Sequence, residues 1–448
     1  MSYSAAIDQL NAMAPELYAQ LGQPRRKFSL DEVRTLLAAL GDPHQSFRTV
    51  LIAGTNGKGS TAATLASILT ASGVRAGLYT SPHLERVNER IRISHSEISD
   101  DDFARLYFRV QDAAQQLVQQ GRLPQHPSFF EILTAVAFVY FAEEKVDLAV
   151  LEVGMGGRLD ATNVVDPLLS IITDISLDHT EWLGPTIAAI AREKAGILRP
   201  GGRMIRLPQF TEADDVLSEV ARELGVRWVG VIDYLPSVGD VRTVEVNGVT
   251  IEVRSPLAGG HQNRNIALAI TAAVELACDF GFHITPQSIA EGIRTTQWPG
   301  RLEHIKQGRI ESGGVSWILD VAHNPAGAWA VRTGLSCVQE GREARTLVFS
   351  CLRDKPIAEM AQILFPLFEL VIFAPIHSAR AASMEDLVAA AQLTHTPFLI
   401  AESVAGALQM AREQAGRGPI LVSGSVYLVG EARSLLLAEG AEIGGRIP

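Results

Sequence analysis

Seven residues near the start of the chain, Gly54-Thr55-Asn56-Gly57-Lys58-Gly59-Ser60, have the composition of a phosphate cradle. A strand-like run ending at Ala53 enters them, and a helix-like run ending at Gly73 leaves them. In that context glycines let backbone N–H groups converge on a phosphate, and the helix N-terminus adds favourable potential. Lys58 would bring a mobile charge to the β- and γ-phosphates, and Ser60 a hydroxyl to phosphate or magnesium. The spelling departs from G-x-x-x-x-G-K-[ST], because Gly59 separates Lys58 from Ser60 and Ile52 stands where the first glycine belongs. Out of context, the same residues make a tight turn with a surface lysine.

A second group lies downstream. "LEVGMGGRLDATN" sets Glu152 near the end of a strand, before a glycine turn, and "DISLDHTEWLG" sets Asp178 and His179 just beyond the next strand. Ligands of open α/β sheets bind beyond the carboxyl ends of strands, so Lys58, Ser81, Glu152 and His179 are expected at one edge. Magnesium takes hard oxygen ligands and keeps water, which suits Glu152 and a hydroxyl. Histidine is less usual there, and His179 reads first as a helix cap or hydrogen-bonding residue.

The elements that must position these groups alternate. "RTVLIAG", "RAGLYTS", "VDLAVLEVG" and "PLLSIITDIS" read as strands, and "FFEILTAVAFVYFAEE" as a helix with a very apolar body. "GPTIAAIAREKAGILRPGG" reads as a helix starting at Pro185 and stopping before a Pro-Gly-Gly turn. This alternation predicts an α/β domain with a mostly parallel sheet and helices on both faces. "RTVEVNGVTIEV" alternates with period two around Asn247-Gly248, which predicts a small antiparallel β-insert from about Val226 to Val253. "HQNRNIALAITAAVELA" returns to helix. The Pro-Gly break in "TTQWPGRLE" reads as a hinge, dividing residues 1–297 from a smaller α/β unit at 298–448. In that unit "VSWILDV", "RTLVFSCL", "ELVIFAPI" and "GPILVSGS" read as strands, each followed by a helix.

The 448 residues suffice for two domains with sizeable cores. A net charge of -11, with no basic run longer than "RRK" at Arg25 to Lys27, argues against nucleic acid as a partner. The most apolar stretch, Ile132 to Ala142, is too short to span a bilayer. Three cysteines, Cys278, Cys337 and Cys351, lack C-x-x-C spacing and read as buried thiols in a reducing compartment. The N-terminal residues do not resemble a signal peptide, so the cytoplasm is the expected location.

The motifs "GTNGKGS", "TSPHLERVNERI", "LEVGMGGRLDATN", "DHTEWLG", "REKAGI", "GRLE" and "DVAHNPAGA" occur in this order. As an ordered set they resemble the folylpolyglutamate synthase and dihydrofolate synthase family, a branch of the Mur ligase superfamily. The resemblance runs from about Phe28 into the C-terminal domain, and the altered phosphate loop is this family's version. It implies a P-loop Mur-ligase-like ATPase domain followed by a Rossmann-like domain.

Residue by residue, the resemblance implies that Thr55, Asn56, Gly57, Lys58, Gly59 and Ser60 hold the ATP phosphates. Ser81, Glu152 and His179 would bind Mg2+. Lys194, in "REKAGI", matches a lysine that is carbamylated in the family; on its own it reads as an exposed helix residue. Asn265, Arg301 and Asp320 match ATP-gripping positions. His323 would lie where the amino acid enters, and alone it reads as a polar turn residue before Pro325. Lys27, Phe28, Ser29 and Leu30, then Ser128, Phe129, Phe130 and Glu131, then Leu159, Asp160 and Ala161, match dihydropteroate-contacting segments of bifunctional members. Phe129 and Phe130 read equally as ring-stacking partners of a pterin and as core residues. Position 128 is serine where a compared relative has threonine.

The implied activity is an ATP-dependent carboxylate–amine ligase. L-glutamate would be joined through an acyl phosphate to dihydropteroate, giving dihydrofolate, and to reduced folates, giving polyglutamates, with closing of the C-terminal domain excluding water. A monomer is expected, and a monovalent cation requirement is left open. A polyglutamate synthase alone is one alternative. A Mur-type cell-wall ligase would need a further N-terminal domain, and only about fifty residues precede the loop, fewer than a typical domain. A P-loop regulatory NTPase would not carry the ordered ligase motifs.

Overall fold

A computed structural model of the chain describes residues 2–13, 29–237, 239, 241–308, 314–338, 346–414 and 418–443. The chain forms two compact α/β units. The first comprises Met1–Pro82, Val87–Arg254 and Asn265–Thr295; the second comprises His83–Arg86, Ser255–Arg264 and Thr296–Pro448.

The first unit holds β1 (Arg48–Ala53), β2 (Ala76–Tyr79), β3 (Ile91–Ile93), β4 (Ser96–Glu97), β5 (Leu148–Glu152), β6 (Leu169–Ile172), β7 (Arg203–Arg206) and β8 (Arg227–Gly230) in one sheet, ordered β4-β3-β2-β5-β1-β6-β7-β8. Apart from Arg48, every residue of β1, β5 and β6 is buried, as expected of parallel strands covered on both faces. β1 is parallel to both β5 and β6, and β2 is parallel to β5. Their carboxyl ends therefore open on one edge. The chain leaves β1 for β2 on one side and reaches β6 on the other, so that edge contains a topological switch point.

The helix after β1, Lys58–Ala71, is buried from Gly59 to Leu69. Its small residues let a second helix, Pro286–Thr295, approach at backbone distance. A Cβ on Gly292 would lie 2.3 Å from the Ile68 Cα, and Ser67 Oγ donates to Gly292 O at 2.7 Å. The apolar helix Phe129–Glu143 begins at a capping box in which Ser128 Oγ accepts from the Glu131 N–H and the Glu131 carboxylate accepts from Ser128 N–H. A helix not anticipated from sequence, Asp100–Gln119, starts at Ser99, whose side chain accepts from Asp102 N–H, with three aspartates in its first turn.

Three local expectations are corrected. β9 (Thr243–Val246) and β10 (Val249–Glu252) form the antiparallel hairpin, with Asn247 and Gly248 both at positive φ. The segment before it, β8, instead pairs in parallel with β7 and extends the main sheet, so the insert is shorter than predicted. Period-two patterning marks a hairpin but does not show that an open sheet edge captures the preceding run. The helix expected from Pro185 begins at Ile187, because Thr186 is its cap, accepting from Ala189 N–H. Cys278 is exposed, Cys351 is buried, and the Cys337 side chain lies outside the described residues.

The second unit holds β11 (Glu303–Gln307), β12 (Val315–Asp320), β13 (Thr346–Phe349), β14 (Leu370–Phe373), β15 (Phe398–Ile400), β16 (Ile420–Ser423) and β17 (Glu442–Ile443), ordered β15-β14-β13-β16-β12-β11-β17. The five strands from β15 to β12 are parallel, while β11 pairs antiparallel with β12 and β17. Among the described residues, no helix is long and apolar enough to cross a membrane.

Candidate functional site

The loop after β1 is shaped by the segment leaving β6. Thr55 N–H donates to Asp174 O at 2.7 Å, and Thr55 Oγ1 donates to Ser176 O at 3.0 Å. Asn56 Nδ2 donates to Ser176 Oγ at 3.2 Å. Asp174 and Ser176 were not singled out from sequence; their signal was only that short polar residues come directly after an apolar strand. Gly57 has φ +86, and a Cβ there would lie 2.3 Å from Asn265 Oδ1, so the Asn265 amide sits directly on the loop. Lys58 opens the helix, and its Nζ donates to Thr55 O at 3.1 Å.

Lys194 is 3% exposed, not the surface residue its helix suggests. Its Nζ donates to Gly54 O at 2.7 Å. Burial brings its pKa down to about 7, the charge of Lys58 adds to that, and Asp178 and Asp160 oppose it. The glycine turn after β5 rests on the same helix. A Cβ on Gly157 would lie 2.8 Å from Glu193 O, and Arg158 N–H donates to that carbonyl at 2.9 Å. Lys58, Lys194, Asp160 and Asp178 thus share one electrostatic neighbourhood.

Glu152 ends β5 and is buried, and its Oε2 accepts from Ser81 N–H at 3.2 Å. The fold brings two of the three expected metal ligands together in this way. His179 has left-handed backbone torsions at the N-cap of the short helix Thr180–Leu183, but its side chain makes no capping bond. Its imidazole instead faces Asp178, with Nε2 4.0 Å from Oδ1. Among the described residues, no three His, Cys, Asp or Glu side chains are clustered to hold a metal. Glu152 and the Ser81 hydroxyl are hard oxygen donors of the kind magnesium takes, an ion that needs few carboxylates and retains water.

Of the segments assigned to the pterin side, Lys27 and Phe28 lie outside the described residues. Ser29 caps the helix Leu30–Ala39, accepting from Asp31 N–H. Ser128 and Glu131 bond to each other: Ser128 Oγ donates to Glu131 Oε2 at 2.8 Å. The sequence pattern S-x-x-E already carried that structural reading. Phe130 and Asp160 flank Gly154, where a Cβ would lie 2.7 Å from the Phe130 ring and 3.2 Å from Asp160 Oδ2. Phe129 lies under the Arg90 guanidinium at 5.3 Å, and Phe130 meets Tyr79 with ring centroids 5.9 Å apart. Burial pushes the Asp160 carboxyl up, against hydrogen bonds from Thr162 and the Met155 N–H. Ala161 is buried and Leu159 is exposed.

In the second unit, β12 ends at Asp320, whose Oδ2 accepts from Leu302 N–H and Oδ1 from Ala322 N–H, both at 2.9 Å. Burial pushes its pKa up to about 6, opposed by the Arg301 charge. Arg301 Nη1 donates to Gly300 O at 3.1 Å. His323 Nδ1 donates to Val321 O at 2.9 Å, which fixes the proton of the neutral ring on that nitrogen.

A family model described as "Mur ligase middle domain" matches residues 52–273, and one described as "Mur ligase, glutamate ligase domain" matches residues 300–426. The folylpolyglutamate synthase of Lacticaseibacillus casei is 35% identical over 445 residues, covering 98% of this chain and 99% of that protein. The dihydrofolate synthase/folylpolyglutamate synthase of Bacillus subtilis is 34% identical over 422 residues, covering 92% and 95%. A crystal structure of Mycobacterium tuberculosis folylpolyglutamate synthase complexed with ADP and AMPPCP superposes with a TM-score of 0.84 at 32% identity, covering 97% of this chain and 98% of that one. The sequence motifs, the two α/β units and these likenesses agree: the chain belongs to the folylpolyglutamate synthase/dihydrofolate synthase family of Mur ligases.

Proposed function

We propose that this chain joins L-glutamate to the carboxylate of dihydropteroate and of reduced folates, at the expense of ATP. The observation that carries the reading is the loop Gly54–Ser60 at the switch point, with Lys58 on the helix N-terminus and Lys194 buried against Gly54 O. The γ-phosphoryl group passes to a substrate carboxylate oxygen and ADP leaves. The glutamate amine then attacks the acyl carbon, loses a proton and expels phosphate. Phosphoryl transfer depends chiefly on positioning and charge stabilisation. Thr55 to Ser60 hold the phosphates, Lys58 meets the γ-phosphoryl charge, and Asn265, Arg301 and Asp320 bind ATP.

Ser81, Glu152 and His179 would hold Mg2+, with the Ser60 hydroxyl offered to phosphate or to the ion; bound there, the ion would neutralise phosphate charge. The lowered pKa of Lys194 supports carbamylation, because a neutral amine near pH 7 can add to carbon dioxide. That product is a buried anion beside the Lys58 charge. Phe129, Phe130 and Asp160 would receive the pterin–aminobenzoyl body, and His323 the incoming glutamate.

The test is mass-resolved ligation with ATP, Mg2+ and L-glutamate, offering dihydropteroate or a tetrahydrofolate. One added glutamate on both acceptors is the expected result, and phosphate release without ligation under either acceptor would sink the reading. The L. casei relative is named for the polyglutamate activity alone, which favours a second reading. A product from the tetrahydrofolate only would establish it.

A further inference from the structure

The four residues just past Ser81 and Pro82, His83 to Arg86, belong to the second unit, and an arginine of that unit binds one of them. Arg433, on the helix Val426–Ala438, donates through Nη1 to Glu85 Oε1 at 2.5 Å. Its Nε reaches both carboxylate oxygens of Glu303, at 3.1 and 3.0 Å. Ser434 Oγ adds a bond to Glu85 Oε2 at 2.7 Å. The side chains of Arg433, Glu85 and Glu303 are 13%, 23% and 9% exposed, so this is a partly buried network, not a surface pair.

The same Glu303 also accepts from Gly300 N–H at 2.9 Å. Gly300 immediately precedes Arg301, and its carbonyl accepts from Val321 N–H at 3.0 Å. Leu302 N–H bonds to Asp320. The turn bearing Arg301 is therefore held on one side by β12 and on the other by Glu303, which Arg433 orients. Leu84 is wedged into the same cluster. A Cβ on Gly430 would lie 2.0 Å from Leu84 O, and one on Gly300 would lie 3.5 Å from a Leu84 methyl carbon.

We propose that Arg433 is a positioning residue for the ligase reaction: by joining Glu85 to Glu303 it fixes the Gly300–Leu302 turn that presents Arg301 and anchors the segment leaving Ser81. The proposal rests on the reading that Arg301 meets ATP. Arginine suits the place because its planar fork directs Nε to Glu303 and Nη1 to Glu85 in one fixed geometry, whereas a lysine ammonium is a compact charge on a flexible stem that does not hold the two carboxylates in that arrangement.

Arg433→Ala would leave two carboxylates without their cation, a change that can unfold a protein by itself. The informative variants are therefore Arg433→Lys and Glu85→Gln, with AMPPCP binding, steady-state kinetics and thermal unfolding measured on the full chain. Arg433→Lys should weaken AMPPCP binding about tenfold, with the KM for tetrahydrofolate changed less than about twofold. In an Arg301→Ala background the same substitution should cost less than a further twofold or so, because the two act in series. Unchanged AMPPCP affinity in folded Arg433→Lys, or penalties that multiply in the double variant, would overturn the proposal. If Arg433→Lys does not fold, Glu85→Gln decides by the same readouts. A wild-type protein that binds AMPPCP yet ligates nothing would defeat the ligase reading alone, since the binding comparison stands without it.

Discussion

Lys194 and Gly54 are 140 residues apart in sequence, yet the lysine Nζ lies 2.7 Å from the glycine carbonyl oxygen. This bond fastens the first residue of the phosphate loop to the helix Ile187–Ala195, inside a region where an ammonium is poorly solvated.

The buried amine makes stability pH-dependent. Folding brings the Lys194 pKa from 10.5 down to about 7, so between those values the unfolded chain holds a proton that the folded chain does not. Stability attributable to this group therefore rises with pH across the window and is level below it. Lys194→Met should flatten that rise, measured as thermal midpoint against pH beside the wild type. Turnover of Lys194→Ala should fall by orders of magnitude and recover in part with acetate, if a carbamate supplies a negative oxygen. Intact mass or a crystal structure would reveal the carbamate directly.

Lys58→Ala should leave the thermal midpoint nearly unchanged, since the side chain's bond to Thr55 O is local. Turnover should drop by about 100- to 1,000-fold, the scale seen when a donor to developing charge is removed. Near-normal turnover would remove Lys58 from the phosphate site.

Asp320 titrates in the opposite sense from Lys194. Its folded pKa is raised from 3.8 to about 6, so the folded chain holds the extra proton between those values, and stability from this group falls as pH rises through them. Asp320→Asn can accept from only one of the Leu302 and Ala322 N–H groups and turns an amide donor toward the other. It should destabilise the protein by about 1–3 kcal/mol in chemical denaturation, and a cost near zero would mean the two backbone bonds are not maintained in solution.

Gly57 and Gly73 have similar positive φ, +86° and +79°, but only Gly57 is crowded, by the Asn265 amide. Alanine at either position should cost about 1–2 kcal/mol of backbone strain. Gly57→Ala should in addition raise the KM for ATP, which Gly73→Ala should not. Equal KM values in the two variants would show that Asn265 does not shape the nucleotide site.

Much of this arrangement was legible because it is local. The strand–loop–helix order fixed where Lys58 must sit, and Glu152 falls at the end of its strand as the pattern required. Burial of Lys194 was not legible. Arg192, Glu193 and Lys194 are consecutive, and nothing in that run distinguishes the inward lysine from its more exposed neighbours; the packing of the glycine turn over the helix does so. β8 was missed for a related reason, since its pairing depends on β7 being left without a neighbour on one side. Ser128 and Glu131 show the converse: their S-x-x-E spacing is a short-range cap signature, and the fold uses it as a capping box.

The second unit is not one uninterrupted length of polypeptide, because it includes His83–Arg86 and Ser255–Arg264 as well as the residues after Thr295. A fragment cut from Thr296 onward would deprive Arg433 of Glu85 and remove Leu84 from beside Gly430. Excision at a single point, or transplantation of the C-terminal half onto another ligase, would thus carry a defect unrelated to the acceptor it recognises. Any chimera that exchanges the C-terminal half has to bring those two short stretches with it.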